Sequence, residues 1–201
     1  MRIIVLVKPG AELDDSDACA VEHALNIARR RMDVQVTLLT AGSADCVRSL
    51  RRALALGADD AVHVADDRIS PYDALTLSRV YADVATDLGF DLVVCGKSPD
   101  TPNLSLIPDL VAARLEAPVT AVPPRSVPPR HPSFPAIAEA RQKLISTRIL
   151  PADAPVTGAA IKPAITVINR SSCPNTIIYS DPDPHAAAVR LVDFLAERRL
   201  V

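Results

Sequence analysis

Apolar residues follow two alternating patterns along the first 122 residues. Short runs rich in β-branched residues predict strands, and most of them lead into a longer stretch with apolar residues three or four positions apart, which predicts a helix. The predicted strands are residues 2–7, 34–40, 61–65, 92–95 and 119–122, and the predicted helices are 18–31, 44–56, 72–88 and 107–115. Because strands that alternate with helices form a parallel sheet covered on both faces, we predict a three-layer α/β domain with about five parallel strands.

The pattern changes at Pro123, and most of the 18 prolines lie between there and residue 201. We therefore divide the chain into an α/β domain, residues 1–122, and a C-terminal part, residues 123–201. Proline fixes φ and lacks an amide donor, so residues 123–135 are predicted to form an extended arm or loop. A short helix at 136–145, strands at 161–169 and 176–179 and a closing helix at 184–199 are predicted to follow, packing on the domain or on a partner.

Charge and composition exclude several classes of function. The 22 basic and 24 acidic residues are well mixed, with a net charge of −2, which does not favour nucleic acid as a partner. No apolar run approaches the roughly 20 residues that span a bilayer. The four cysteines have no C-x-x-C spacing and the four histidines have no metal-ligand spacing, so we predict no metal site. We expect a soluble, cytoplasmic protein with buried thiols.

The turn after the fourth predicted strand is the first candidate site. Gly96 and Lys97 follow that strand, with Ser98 next, and Lys8 follows the first strand. In open α/β sheets, ligands bind beyond the carboxyl ends of the strands near the switch in strand order. A nucleotide phosphate held between Lys8 and Lys97, close to the backbone at Gly96, is one interpretation, and a tight turn with a solvated lysine is the other.

Motifs for catalysis do not occur in the sequence. It contains neither a G-x-x-x-x-G-K-[ST] phosphate loop nor a G-x-G-x-x-G fingerprint. It also has no G-x-S-x-G nucleophile elbow, and no cysteine has an obvious histidine partner. We therefore predict no catalytic residue and expect the chain not to be an enzyme.

A second candidate site is the segment RHPSFPAIAEARQKLI, residues 130–145. Phe134 lies between Ser133 and Pro135 in a proline-stiffened loop. A large apolar side chain held rigidly outside a sheet is suited to anchor an interface. The alternative is that Phe134 folds back and covers the helix of its own segment.

Residues Ser49 to Val64, SLRRALALGADDAVHV, resemble the β subunit of electron transfer flavoproteins, in which the phrase reads very nearly "ALAMGAD…HV". The resemblance extends over residues 2–122, where the helix sequence AVEHA stands for the family's "AVEEA". It returns in residues 130–145, which are similar to the family's "RYxxLPxIxKAKKK" loop. It implies a Rossmann-like, adenine-nucleotide α-hydrolase-like domain.

The resemblance implies the β-like subunit of a heterodimer that passes electrons from a dehydrogenase. FAD would be held mostly by an α-like partner, and AMP is a possible second ligand at Lys8, Gly96, Lys97 and Ser98. The loop that recognises the dehydrogenase would include Arg130, Phe134, Pro135 and Ile137, with Phe134 in place of the family's leucine. The segment after the fourth strand and the region near the flavin depart from the family, so we describe a shortened, divergent member.

Two other functions remain open at this point. One is a non-redox module that binds adenine nucleotides, similar in topology to universal stress proteins, with Lys8, Gly96 and Lys97 holding ATP or AMP. The other is a scaffold that kept the fold and lost the ligand, for which we expect a filled crevice. Copurification of nucleotide with the isolated chain distinguishes these two possibilities.

Overall fold

A computed structural model describes residues 1–97 and 104–156, together with Val189 and Asp193. The chain forms two compact units, residues 1–163 and 164–201. In the second unit Val189 and Asp193 are described, and both are helical. The predicted strands at 161–169 and 176–179 and the rest of the predicted closing helix lie outside the described residues.

Strands and helices alternate through the described part of the first unit. The strands are β1 Arg2–Leu6, β2 Gln35–Gly42, β3 Asp60–Ala65, β4 Leu92–Gly96, β5 Val119–Val122 and β6 Ile145–Arg148. The α-helices are α1 Asp15–Arg29, α2 Cys46–Ala55, α3 Ala74–Leu88, α4 Ile107–Leu115 and α5 Phe134–Gln142, with a 3₁₀ turn at Leu104–Leu106 before α4.

The strands form one parallel sheet in the order β5-β4-β1-β2-β3-β6. In the central strand, Leu6 is in register with Leu39 of β2 on one side and with Cys95 of β4 on the other. The chain first builds outward from β1 to β3 and then crosses to β4, so the strand order switches between β1 and β4. Ligands of open α/β sheets bind beyond the carboxyl ends of the strands at such a point.

Both faces of the sheet are buried, which explains the continuous apolar runs. In β1, Ile3 and Val5 belong to a core shared with α1 and α2, whereas Ile4 and Leu6 belong to a second core shared with α3 and α4. A strand that is covered on both faces needs apolar residues at every position rather than at every second one. The predicted three-layer, Rossmann-like α/β fold is confirmed.

The sequence predicted five strands, but the sheet of the described residues has six. The predicted helix at 136–145 is α5, which begins at Phe134 and ends at Gln142, and Ile145 instead begins β6 beside Ala61 of β3. Two residues of β6, Ser146 and Thr147, are polar and exposed, so the strand carries no apolar run that would reveal it. Residues 123–133 contain no helix or strand, as predicted for the proline-rich arm, but the predicted arm reached residue 135, whereas Phe134 and Pro135 belong to the first turn of α5.

The start of α1 also differs from the prediction. The predicted helix began at residue 18, but α1 begins at Asp15, and Asp14 caps it by accepting a hydrogen bond from the Ser16 amide at 2.7 Å. Aspartate is favoured there because its oxygen satisfies an amide that has no partner within the helix. Asp73 caps α3 in the same way, by accepting hydrogen bonds from the amides of Leu75 and Thr76.

Candidate functional site

The carboxyl edge of β1 and β4 brings Lys8 and Gly96 together with the first turn of α1. Lys8 lies two residues beyond the end of β1, and Gly96 is the last residue of β4. Lys97 follows directly and is exposed, and its amide donates to the carbonyl oxygen of Val122 at 2.9 Å. Ser98 lies outside the described residues.

Lys8 is buried and bound to the first turn of α1. Its ammonium donates to Asp17 Oδ1 at 2.6 Å and to Ser16 Oγ at 2.7 Å, and its backbone amide donates to Asp17 Oδ2 at 2.8 Å. Asp14 Oδ1 is 3.5 Å from the same ammonium. Asp17 is 1% exposed, so the two charges meet in a site from which water is excluded.

The charges of this cluster do not cancel. Burial raises the pKa of the Asp17 carboxyl to about 6, against the opposing influence of Lys8. Burial also acts to lower the pKa of Lys8, but the Asp17 and Asp14 carboxylates outweigh it and hold that pKa above its usual value. Burial of Asp14 is outweighed by hydrogen bonds from Ser16 and by Lys8, which keep its pKa low. At neutral pH the cluster therefore holds one ammonium and two carboxylates.

Gly96 permits the close approach of α1 rather than leaving space for a ligand. A Cβ atom at this position would lie 2.5 Å from the Ser16 carbonyl carbon and 2.6 Å from both the Ser16 carbonyl oxygen and Asp17 Oδ1. Carbon atoms in contact are separated by about 3.5–4 Å, so no side chain fits. The first turn of α1 thus lies directly against the end of β4.

A nucleotide phosphate does not fit Lys8 and Gly96 as they are arranged. The ammonium is already paired with carboxylates, and a phosphate beside Asp14 and Asp17 would meet like charge. The backbone of Ser16 fills the place above Gly96. Of the residues proposed for the nucleotide, Lys97 alone is both described and exposed. Nucleotide binding at this edge stays a prediction from the sequence.

Sequence reasoning identified Lys8 and Gly96 but missed what binds them. The partners are Ser16 and Asp17, which lie in the segment DDSD just before the apolar part of α1. The available signal was a row of acids at the start of a helix, where the helix dipole and free amides favour negative charge. That signal predicts capping, but it does not reveal that one of the acids is aimed at a lysine.

The predicted recognition segment is attached to α1 through Arg130. Its guanidinium donates from Nε to Glu22 Oε2 at 2.8 Å and from Nη2 to Glu22 Oε1 at 3.0 Å. Glu22 is 5% exposed and also accepts a hydrogen bond from Arg29. Two-pronged contacts between arginine and a carboxylate fix orientation as well as distance. The C-terminal end of the proline-rich arm is therefore anchored to the middle of α1.

Phe134 begins α5 and is 84% exposed. Ser133 caps the helix by accepting a hydrogen bond from the Ala136 amide at 3.4 Å, and Pro135 occupies its first turn. Ile137, one turn further on, packs against the core. Phe134 does not fold back over its own helix, which was the alternative interpretation of its sequence.

Three cysteines and one histidine of the described residues lie in the core. Cys19, Cys46 and Cys95 are buried free thiols, and burial raises the pKa of Cys95 to about 12. The ring of His63 is buried and bonded to the Gly42 carbonyl oxygen at 3.1 Å. Among the described residues no group of histidine, cysteine and acidic side chains could hold a metal ion, and no helix combines the length and hydrophobicity of a membrane span.

Comparison with known proteins defines the class of this fold. The sequence of residues 3–122, which form most of the sheet, matches the family model of the electron transfer flavoprotein domain. The chain belongs to this family.

Curated relatives narrow the comparison to one kind of subunit. The chain is 33% identical over 113 residues to the electron transfer flavoprotein subunit beta of Mycobacterium tuberculosis, with 54% of this chain and 42% of that protein matched. For the proteins of the same name from Megasphaera elsdenii and Homo sapiens the identities are 32% over 109 residues and 31% over 104 residues, and 40% of each relative is matched. The chain thus matches less than half the length of these relatives. The predicted resemblance to β subunits is confirmed.

Proposed function

We propose that the chain is the β-like subunit of an electron transfer flavoprotein heterodimer. It would act with an α-like partner and pass electrons from a dehydrogenase, as a carrier subunit rather than as an enzyme. The proposal includes a cytoplasmic location.

One observation carries this proposal. The family match covers residues 3–122, and relatives that match about half of this chain are beta subunits of electron transfer flavoproteins. These residues contain β1 to β5 and the helices between them, so the whole of the switch between β1 and β4 lies within the match. The part of the chain that could position a cofactor is therefore the part that is similar.

FAD is the cofactor that this function requires, and we place most of its contacts on the α-like partner. When bound, the flavin supplies the ability to accept and release electrons. The paired state of Lys8 and the absence of space above Gly96 do not support a second phosphate ligand such as AMP at those two residues. In this proposal the isolated chain retains little flavin.

The surface offered to the dehydrogenase would be the segment from Arg130 to Ile137. Arg130 fixes the arm to Glu22, which places Phe134 at a defined point of the surface. An exposed aromatic residue on a rigid support loses little conformational entropy when it binds. Arg130 is a positioning residue in this arrangement, whereas Phe134, Pro135 and Ile137 would form the contact.

The test is to purify the chain alone and together with a co-encoded α-like protein, and to record the visible spectrum and the mass of released ligands. We expect yellow flavin absorbance in the complex and almost none in the isolated chain. Absence of a complex would contradict the heterodimer. Adenine nucleotide on the isolated chain, without flavin in either sample, would favour the nucleotide-binding module.

A further inference from the structure

A cavity of about 520 Å³ lies between α2, α5 and the segment that precedes α1. Pockets of 300 to 1,000 Å³ are the usual size of small-molecule sites. Five of its lining residues are apolar: Leu13, Ala55, Leu56, Pro132 and Ile137. Such a surface accepts a hydrocarbon or aromatic group, since burial there removes apolar area from water.

The polar part of the lining consists of three arginines, Arg51, Arg52 and Arg141. Arg51 is fixed in place, because one of its nitrogens donates to the carbonyl oxygens of Ala140, at 2.7 Å, and of Lys143 at the end of α5. Its positive charge is not balanced by these neutral partners. The wall between α2 and α5 is therefore positive and also rigid.

The other two arginines are available to a ligand to different degrees. Arg52 pairs with Glu12, but both side chains are more than half exposed, and such pairs are weak. Arg141 is exposed and has no ion pair with any carboxylate of residues 1–97 and 104–156. An anionic group would meet one unpaired guanidinium and compete with Glu12 for a second.

We propose that this cavity binds a small amphipathic anion, with a carboxylate or phosphate head beside Arg141 and Arg52 and an apolar body against Leu56 and Ile137. Charge complementarity selects the head, because guanidinium groups bind both kinds of anion through paired hydrogen bonds. The apolar side chains of Leu56 and Ile137 favour a ligand whose remaining part is hydrocarbon or aromatic. The lining of this site includes neither Lys8 nor Gly96, and ligand binding there does not depend on electron transfer.

Calorimetric titration of the full chain tests the ligand class with four probes: octanoate, octyl phosphate, octanol and inorganic phosphate. We expect both amphipathic anions to bind at one site, and octanol and inorganic phosphate to bind at least about tenfold more weakly, since each lacks half of the recognition. The tighter of the two anions identifies the head group. Octanol binding as tightly as octanoate would overturn the proposal.

Three variants test the location of the bound anion: one should weaken binding, one should strengthen it and one should leave it unchanged. R141Q should weaken octanoate about tenfold, and E12Q should strengthen it, because that change releases Arg52. R31Q alters an exposed arginine that pairs with Asp33 and does not line the cavity, so it should change nothing. Glu12 is largely exposed, so its replacement leaves the fold intact and keeps the test decisive. Equal effects of R141Q and R31Q, or weaker binding by E12Q, would place the anion elsewhere.

Discussion

Asp17 accepts hydrogen bonds from two nitrogens of Lys8, the backbone amide at 2.8 Å and the ammonium at 2.6 Å. Both oxygens of one buried carboxylate are therefore used to attach α1 to Lys8, two residues beyond the end of β1. In this chain the switch point of the sheet is closed by its own first helix. An ion pair of this kind is costly to break, because the remaining charge stays buried without a partner.

Replacing Gly96 with alanine should lower the free energy of unfolding by about 1–3 kcal/mol or more, the usual cost of forcing extra atoms into a packed site. The added carbon would collide with the Ser16 backbone, which cannot rotate away as a flexible side chain could. Urea unfolding measures the effect. Gly10→Ala is the control, because its added carbon meets nothing closer than 3.9 Å and carries only the backbone cost of a φ of +153°. A loss below about 1 kcal/mol in Gly96→Ala would contradict the steric explanation.

The D17N variant should have a pH-dependent effect on stability. A carboxyl whose pKa is higher in the folded than in the unfolded chain contributes stability below the unfolded value, near 4, and that contribution is lost as the pH rises through about 6. The variant has no such titration. The stability of the wild type relative to D17N should therefore fall by about 2 kcal/mol between pH 4.5 and pH 7.5.

Urea unfolding of both proteins across this pH range gives the difference directly. Asp15→Asn, a first-turn acid of α1 that is exposed, controls for a general change in charge at the helix start. If the stability of the wild type relative to D17N instead increased as the pH rises, the attraction of Lys8 would exceed the cost of burying the charged Asp17.

Glu22→Gln should release the proline-rich arm from α1. The neutral amide cannot balance Arg130 and Arg29, and lost hydrogen bonds to charged groups cost about 1.5–3 kcal/mol each. We expect trypsin to cleave faster after Arg125, which lies within the arm. Mass analysis of the fragments over time measures the rate. Asp33→Asn, at an exposed ion pair, should leave the cleavage rate unchanged. An unchanged rate in E22Q would show that other contacts hold the arm.

Phe134→Ala should leave the melting temperature of the isolated chain unchanged, since the side chain is 84% exposed. Association with the dehydrogenase should weaken by about 2 kcal/mol, as is typical for the loss of a central aromatic contact. Surface plasmon resonance between the dehydrogenase and the complex of this chain with its α-like partner measures the affinity. Met32→Ala, also at an exposed apolar residue, is the matched control. A lower melting temperature with unchanged association would point to a role in folding.

The sheet could be predicted from sequence because its central strands are buried on both faces and so contain uninterrupted apolar runs, such as residues 3–6 of β1. The same logic failed for Ile145–Arg148, which lies at the edge of the sheet and alternates little. It also failed for the Lys8 partners. Adjacent polar residues such as Ser16 and Asp17 look like a solvated loop until the helix places them over β4.

The pairing of β3 with β6 joins residues that are far apart in the chain, with Ala61 opposite Ile145. Closing a loop of this length costs conformational entropy, so the pairing of β3 with β6 is among the more costly contacts of the sheet to form. Without β6, the edge of β3 would present unpaired amides and carbonyls next to the apolar side chains of Val62 and Val64, and an edge of this kind is a template for aggregation. The short strand supplied by the segment after the prolines covers this edge, and its own exposed positions, Ser146 and Thr147, are polar, so the outer edge of the sheet is a poor template for further strand pairing.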